Sequence, residues 1–222
     1  MPDPFDLSSS HEQRSNRKGL SLLDLLFPPR CGGCGTPGSW ICGRCRAVRE
    51  PARAPALPHL RSVVSLGVFA GPLRAAVHRL KYTHEFILAD ALGAELGAVL
   101  ARGLALGWRV DSVVPVPLAE SRARQRGHDQ AERLAGACAV VSGVRLRRAL
   151  RRVRDTRSQV GLGRNERATN VRGAFAAEPM VGQGVALIDD VLTTGSTLSE
   201  CARTLRRSGA REVRALVVAI ER

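Results

Sequence analysis

Two acidic side chains, Asp189 and Asp190, stand side by side in the stretch VALIDDVLTTGSTLSE, residues 185–200. Before them Val185, Ala186, Leu187 and Ile188 form an apolar run too short for a helix of its own and suited to a strand buried on both faces of a parallel sheet. Carboxylates at the C-terminal end of such a strand lie where open α/β sheets bind ligands, and burying them without a partner is costly. After Val191 and Leu192 come Thr193, Thr194, Gly195, Ser196 and Thr197, which offer hydroxyls, closely spaced N–H groups and one glycine free to take positive φ. Such a loop suits an anion. Thr197 and Glu200 match the S/T-x-x-E capping box, and Leu198, Cys201 and Leu205 follow at helical spacing. A helix is therefore predicted to start here with its positive end toward the loop, which favours a phosphate. A plain β-turn-α connection would explain TTGST alone; the paired acids are what make it a ligand site. Carboxylates for ribose hydroxyls beside a phosphate cradle describe a phosphorylated sugar. The stretch has no lysine in a G-x-x-x-x-G-K-[ST] arrangement and no G-x-G-x-x-G, and the chain's one formal G-x-G-x-x-G, residues 33–38, sits among cysteines with no strand before it.

The second chemical cluster is CGGCGTPGSWICGRC, in which Cys31, Cys34, Cys42 and Cys45 form two CxxC pairs joined by a short loop. Each pair sets two thiolates on one turn, and two such knuckles supply the four ligands of a tetrahedral structural zinc. Four thiolates leave no open position for catalysis. A redox CxxC needs one pair beside a thioredoxin-like βαβ pattern, and disulfides do not suit a chain whose first 19 residues are mostly polar and charged, unlike a secretory signal. Bound iron is the remaining alternative to zinc.

A chain of 222 residues can bury one sizeable core with a small appended module. Every apolar run is broken by charge before about 20 residues, so no membrane span is expected, and the location implied is cytoplasmic. The net charge of +14 favours phosphorylated or polyanionic partners. Lysine occurs only at Lys18 and Lys81 and every other strong base is arginine, a skew that resembles the codon bias of a GC-rich genome. The charge alone is thus a weak argument for DNA binding.

These sites need elements to hold them. Residues 1–19 read as a disordered tail; residues 20–27 place Leu20, Leu23, Leu26 and Phe27 on one helical face before Pro28 and Pro29 stop it, a docking helix that with the cysteines makes a module over residues 20–50. Residues 51–60 are a Pro/Ala-rich linker, and residues 61–222 the main domain. In it strands are predicted over 62–69, 110–114, 185–188 and 212–220. Helices are predicted from Pro72 through Tyr82, over 85–104 with the stripe Leu88, Leu92, Leu96, Val99 and Leu100, and from about Asp129 with Leu134, Cys138 and Val141 inward. Cys138 and Cys201 read as small buried hydrophobes. The fold class is α/β with a parallel sheet. Arg122, Arg124 and Arg126 crowd past the carboxyl end of the 110–114 strand, where guanidinium forks suit a pyrophosphate or are simply solvated. Residues 155–163 are polar and glycine-containing, the composition of either a lid or a plain surface loop.

The 185–200 stretch closely resembles the phosphoribosyl-pyrophosphate (PRPP) signature of type I phosphoribosyltransferases: apolar strand, two acids, two apolar residues, a Thr/Ser-Gly loop. The resemblance implies that Asp189 and Asp190 bind the ribose 2′- and 3′-hydroxyls, that Thr193 to Thr197 hold the 5′-phosphate, and that Mg²⁺ accompanies the ligand. Thr193 stands where 6-oxopurine enzymes carry an aspartate base, which disfavours that subclass. Across the chain from Leu22 onward, LLDLLFPPRCGGCG, ICGRC, LKY at residues 80–82, VVPVPL, RQRGHDQAERLA and TRSQVGLGRNERATNVRGAF resemble the ComF (competence protein F) family, a zinc-knuckle module followed by a phosphoribosyltransferase domain. RGHDQ, with His128 and Asp129, departs from that family's usual RGFNQ. This resemblance implies a role in natural transformation and single-stranded DNA handling, competence proteins as partners, and a place for Lys81 in the ligand site.

Overall fold

The computed structural model describes residues 28–82, 86–118, 130–154 and 169–222. Its main sheet has five parallel strands, β1 (Ser62–Ser65), β2 (Ser112–Pro115), β3 (Arg145–Leu146), β6 (Gly184–Leu192) and β7 (Glu212–Ile220), in the order β1-β7-β6-β2-β3. Two further strands, β4 (Leu150–Arg152) and β5 (Phe175–Ala177), form a separate antiparallel pair. The named helices are α1 (Gly43–Ala47), α2 (Gly71–Tyr82), α3 (Phe86–Ala105), α4 (Gln130–Ser142) and α5 (Ser196–Arg207).

Strand alternation divides the apolar side chains between two cores, because successive residues point to opposite faces of a sheet. On one face Val113, Ala186, Ile188, Leu216 and Val218 meet the buried leucines of α2, α3 and α4. On the other, Val114, Val185, Leu187, Val213, Ala215 and Val217 meet α5, the β4/β5 pair and the partly buried Ala52, Ala54, Leu57 and Leu60. The run 185–188 is continuous in sequence because both faces of its strand are covered. The Pro/Ala-rich residues 51–60, which read as a linker, thus lie against the second core.

The connections fix where a ligand can sit. β6 leads through α5 to β7 on one side, whereas β2 leads through α4 to β3 on the other, and α4 and α5 belong to opposite faces. Strand order reverses between β2 and β6, and at such a switch point the carboxyl ends open a crevice. β2 stops pairing at Pro115, opposite Ile188, while β7 follows β6 as far as Ile220. Among the described residues, no strand pairs with that flank of β6 from Asp189 onward.

Most element bounds agree with the expectations, with informative differences. β6 carries Asp189 and Asp190 near its C-terminal end as expected, but runs on past them to Leu192. Val141, expected inward on α4, is 46% exposed because it lies at the flank of the α3–α4 contact. The β4/β5 pair was not foreseen; arginines at 151 and 152 mask its alternation. The expected tail and docking helix within residues 1–27, the loop of residues 155–163, and Arg122, Arg124 and Arg126 lie outside the described residues.

Helices α3 and α4 approach closely because α3 has glycines where they meet. A Cβ added to Gly93 would come within 2.4 Å of the Leu134 carbonyl oxygen, and one on Gly97 within 2.8 Å of the Cys138 carbonyl oxygen. Neither backbone atom can swing away. Gly93→Ala is accordingly expected to lower stability by about 1–3 kcal/mol, despite alanine's advantage of roughly 1 kcal/mol in helix propensity, as checked by urea unfolding.

Candidate functional site

A cavity of about 290 Å³ opens at the carboxyl edge of the sheet. Asp189 and Asp190, the whole of residues 193–197, Lys81 and Arg152 all line it. The acids are partly buried, and each also serves its own strand: the Asp190 N–H donates to Asp189 Oδ1 at 2.9 Å and the Val191 N–H to Asp190 Oδ1 at 2.6 Å. The remaining oxygen of Asp190, Oδ2, pairs with Lys81 Nζ at 3.0 Å. Lys81 arrives from the last turn of α2, and the ion pair keeps 18% of the aspartate side chain and 23% of the lysine exposed toward the cavity. Asp190 is thus counter-charged by Lys81, and both acids line the cavity.

The loop after β6 turns sharply at Gly195, whose φ of +78° caps helix α5 from the left-handed region. That φ favours glycine. A Cβ there would also come within 2.6 Å of Leu57 in residues 51–60. Thr194 and Ser196 share a hydroxyl–hydroxyl hydrogen bond of 3.1 Å across the glycine. The expected capping box is not formed. The helix starts at Ser196 with no side-chain cap, and Glu200 instead accepts from the Gly173 N–H at 2.7 Å and pairs with Arg203 at 2.6 Å. Burial alone would push the Glu200 carboxyl up, but these donors outweigh it and hold it below its ordinary value. Glu200 therefore anchors α5 to the turn before β5. The amides of the first helical turn receive no side-chain cap from Gly195, a setting that suits an anion at the helix N-terminus.

Arg152 escaped the sequence reading. It lies in a run, LRRALRRVRD, that reads only as basic, yet pairing of β4 with β5 sets it opposite Phe175, with its guanidinium 5.2 Å from that ring's centre. A period-two reading of 150–152, buried-exposed-partly buried, is the signal that would have found it. Burial drives the Cys201 thiol well above its usual range, with the charge of Asp189 adding to the rise and that of Arg152 opposing it. Cys138 and Cys201 are buried within the cores as expected.

The four cysteines come together at the N-terminal side. All four Sγ atoms lie within 4.8 Å of one another, with Cys34 and Cys42 at 3.7 Å, and none is in a disulfide. Tetrahedral ligation at the usual zinc–sulfur bond length needs sulfurs about 3.8 Å apart, so the set fits such a metal ion. Backbone donors already face the sulfurs: the Cys42 N–H reaches Cys31 Sγ at 3.3 Å and the Cys45 N–H reaches Cys42 Sγ at 3.4 Å. Hydrogen bonding from Thr36 brings the Cys34 thiol down to about 6, the direction a ligand needs, whereas burial pushes Cys45 up. The module is not loosely appended. Ile41 belongs to the first core, Arg46 and Arg49 both pair with Glu95 of α3, and Arg79 of α2 donates to the Cys31 carbonyl oxygen at 2.9 Å.

An open parallel sheet with paired acids beside a strand-loop-helix at its switch point, packed against four gathered thiols that fit a metal ion, defines an α/β protein with a four-cysteine module. No family model matches the chain. Among curated proteins, it is 35% identical over 204 residues to DNA utilization protein YhgH of Salmonella typhimurium, covering 90% of this chain and 84% of that one. It is 30% identical over 196 residues to competence protein F of Haemophilus influenzae, covering 83% and 82% respectively. The chain belongs to this competence protein F and DNA utilization protein YhgH family. Among solved structures it is similar to the glutamine PRPP amidotransferase of B. subtilis, with a TM-score of 0.42 and 22% identity over 64% of this chain and 30% of that one. No helix among the described residues is long and apolar enough to cross a membrane.

Metal analysis of the purified protein is expected to give about one tetrathiolate-bound ion per chain. Cys42→Ser is expected to lose it, because serine keeps the N-cap of α1 but removes one of the four gathered thiols.

Proposed function

We propose that the cavity binds PRPP or a related phosphoribosyl ligand, and that the protein is a type I phosphoribosyltransferase-like member of its family with zinc as the structural metal of its cysteine module. The observation that carries this reading is the sharing of one cavity by two adjacent strand-end carboxylates and the loop at a helix N-terminus. Asp189 and Asp190 accept hydrogen bonds from the ribose 2′- and 3′-hydroxyls. The hydroxyls and N–H groups of Thr193, Thr194, Gly195, Ser196 and Thr197 hold the 5′-phosphate, with the helix end favouring its charge. Lys81 offsets a carboxylate that would otherwise repel the phosphates. Arg122, Arg124 and Arg126, in the segment after β2, are the proposed contacts of the pyrophosphate.

In the transfer reaction the bond from C1 to pyrophosphate breaks, positive charge grows on the ribose, and a nitrogen nucleophile forms the new bond to C1. Mg²⁺, when bound with the ligand, would draw charge from the departing pyrophosphate. The chain itself supplies orientation and fixed charge: the cradle holds one end of the sugar, the acids fix the ring, and Asp189 faces the growing positive charge. The names of its relatives connect this chemistry to competence and DNA utilization, with single-stranded DNA and competence proteins as proposed partners in the cytoplasm.

A second reading has its own observation. Arg145, Arg148, Arg151 and Arg154 are all exposed within ten residues of chain, and such a strip suits a nucleic-acid backbone, with the cavity kept as a nucleotide sensor or the protein serving as a DNA-binding adaptor. Thermal unfolding separates the two. PRPP with Mg²⁺ at about 100 times its dissociation constant is expected to stabilise the chain by about 2.7 kcal/mol, a rise in Tm of roughly 5–10 °C, and Asp190→Asn is expected to abolish the rise. PRPP-dependent pyrophosphate release that disappears in the same variant distinguishes catalysis from sensing. No shift with PRPP, together with tight single-stranded DNA binding that falls steeply with salt and survives Asp190→Asn, overturns the phosphoribosyl reading.

A further inference from the structure

One helix touches both the cysteine module and the acid pair. Arg79 and Lys81 stand two residues apart in the last turn of α2, and at about 100° per residue they project to roughly opposite sides. On one side Arg79 Nη1 donates to the Cys31 carbonyl oxygen at 2.9 Å. On the other Lys81 Nζ meets Asp190 Oδ2 at 3.0 Å. Between them Leu80 is fully buried, as are Ala76 and Val77 a turn earlier, so α2 cannot roll without disturbing the close-packed first core.

The beginning of the helix is held by the same module. A Cβ on Gly33 would come within 2.8 Å of Pro72 and 3.0 Å of Cys45 Sγ, so the knuckle, the thiol cluster and the first turn of α2 are in mutual contact. Gly32 abuts Leu88 of α3 in the same way, at 2.7 Å. The Cys31 carbonyl that receives Arg79 thus belongs to a residue whose sulfur is one of the four gathered thiols. Whatever fixes those thiols fixes the acceptor of Arg79.

We propose that Arg79 is a positioning residue, through which the metal-holding cysteine module fixes α2 and so keeps Lys81 on Asp190. Loosening the module frees Lys81 and takes its charge away from Asp190. The consequence for ligand affinity rests on the phosphoribosyl reading above; the coupling itself does not.

The sequence provides a ligand-independent probe, since Lys18 and Lys81 are the chain's only lysines. A brief pulse of limiting acetic anhydride on the full-length, metal-loaded chain, read by mass spectrometry, gives the ratio of Lys81 to Lys18 acetylation. Asp190→Asn supplies the released reference. Arg79→Met, with its metal content and far-UV circular dichroism unchanged, is expected to raise the ratio about fivefold, toward that of Asp190→Asn, the lower end of ordinary coupling between sites. Arg79→Lys, which can donate to the same carbonyl, is expected to restore the wild-type ratio, and removal of the metal by chelation to raise it as Arg79→Met does. A wild-type ratio in metal-loaded Arg79→Met overturns the proposal, as does an Asp190→Asn ratio no higher than wild type, since Lys81 is then not held by that carboxylate. Should chelation unfold the chain, the two Arg79 variants decide alone. Because no arm contains PRPP, failure of the phosphoribosyl reading in the thermal assay and failure of the coupling appear in different experiments.

Discussion

Two carboxylates side by side at the end of a buried strand repel one another and any phosphate that approaches, and much of the architecture answers that repulsion. Lys81 lies on one oxygen of the pair, N–H groups of the strand satisfy two others, and the N-terminus of α5 turns its partial positive charge toward the same space. The sheet topology makes this economical. Because β2 stops pairing at the residue before Asp189 while β7 continues beyond it, the acids are held by strand pairing on one flank, and among the described residues no strand pairs with the other. A site that was buried on both flanks would have to neutralise the acids completely, whereas one exposed on both would lose the low dielectric that makes their charge effective.

The same constraint explains the course of the chain before the sheet. Lys81 can reach Asp190 only if α2 runs along the first core with its C-terminal end at the carboxyl edge, and the cysteine module lies against both ends of that helix through Pro72 and Arg79. Glu95 draws in Arg46 and Arg49 from beyond the last cysteine. What looks from composition like a small unit on a tether is therefore part of the scaffold of the site, and its four thiols are close enough to be locked by one ion.

Legibility in the sequence followed the range of the interactions. The run 185–188, the leucine stripe of α3 and the strand at 212–220 were readable because their periodicity is local and both sheet faces are covered. The two CxxC pairs were readable because a turn fixes their sulfurs within a few residues. Arg152 was not, since its role depends on pairing with a strand more than twenty residues away, and a run of arginines has no apolar alternation to reveal a face. Nor was the fate of Glu200: the capping pattern was present, but the exposed turn at Gly173 and the neighbouring Arg203 offered better partners than the helix end. Lys81 came from family resemblance alone, and nothing in its local sequence announces an ion pair formed across 109 residues of chain.

The segment from 51 to 60 has the prolines and alanines of a spacer, but Leu57 rests beneath the glycine on which the 193–197 loop turns. Ordinary spacers tolerate lengthening, because adding residues to a free loop costs little entropy. Here an inserted or deleted residue would shift the floor under Gly195, so the distance between cysteine module and sheet is set by the shape of that turn. Anyone wishing to divide this chain into separately produced pieces should expect the cut to fail at this point, where composition most invites it.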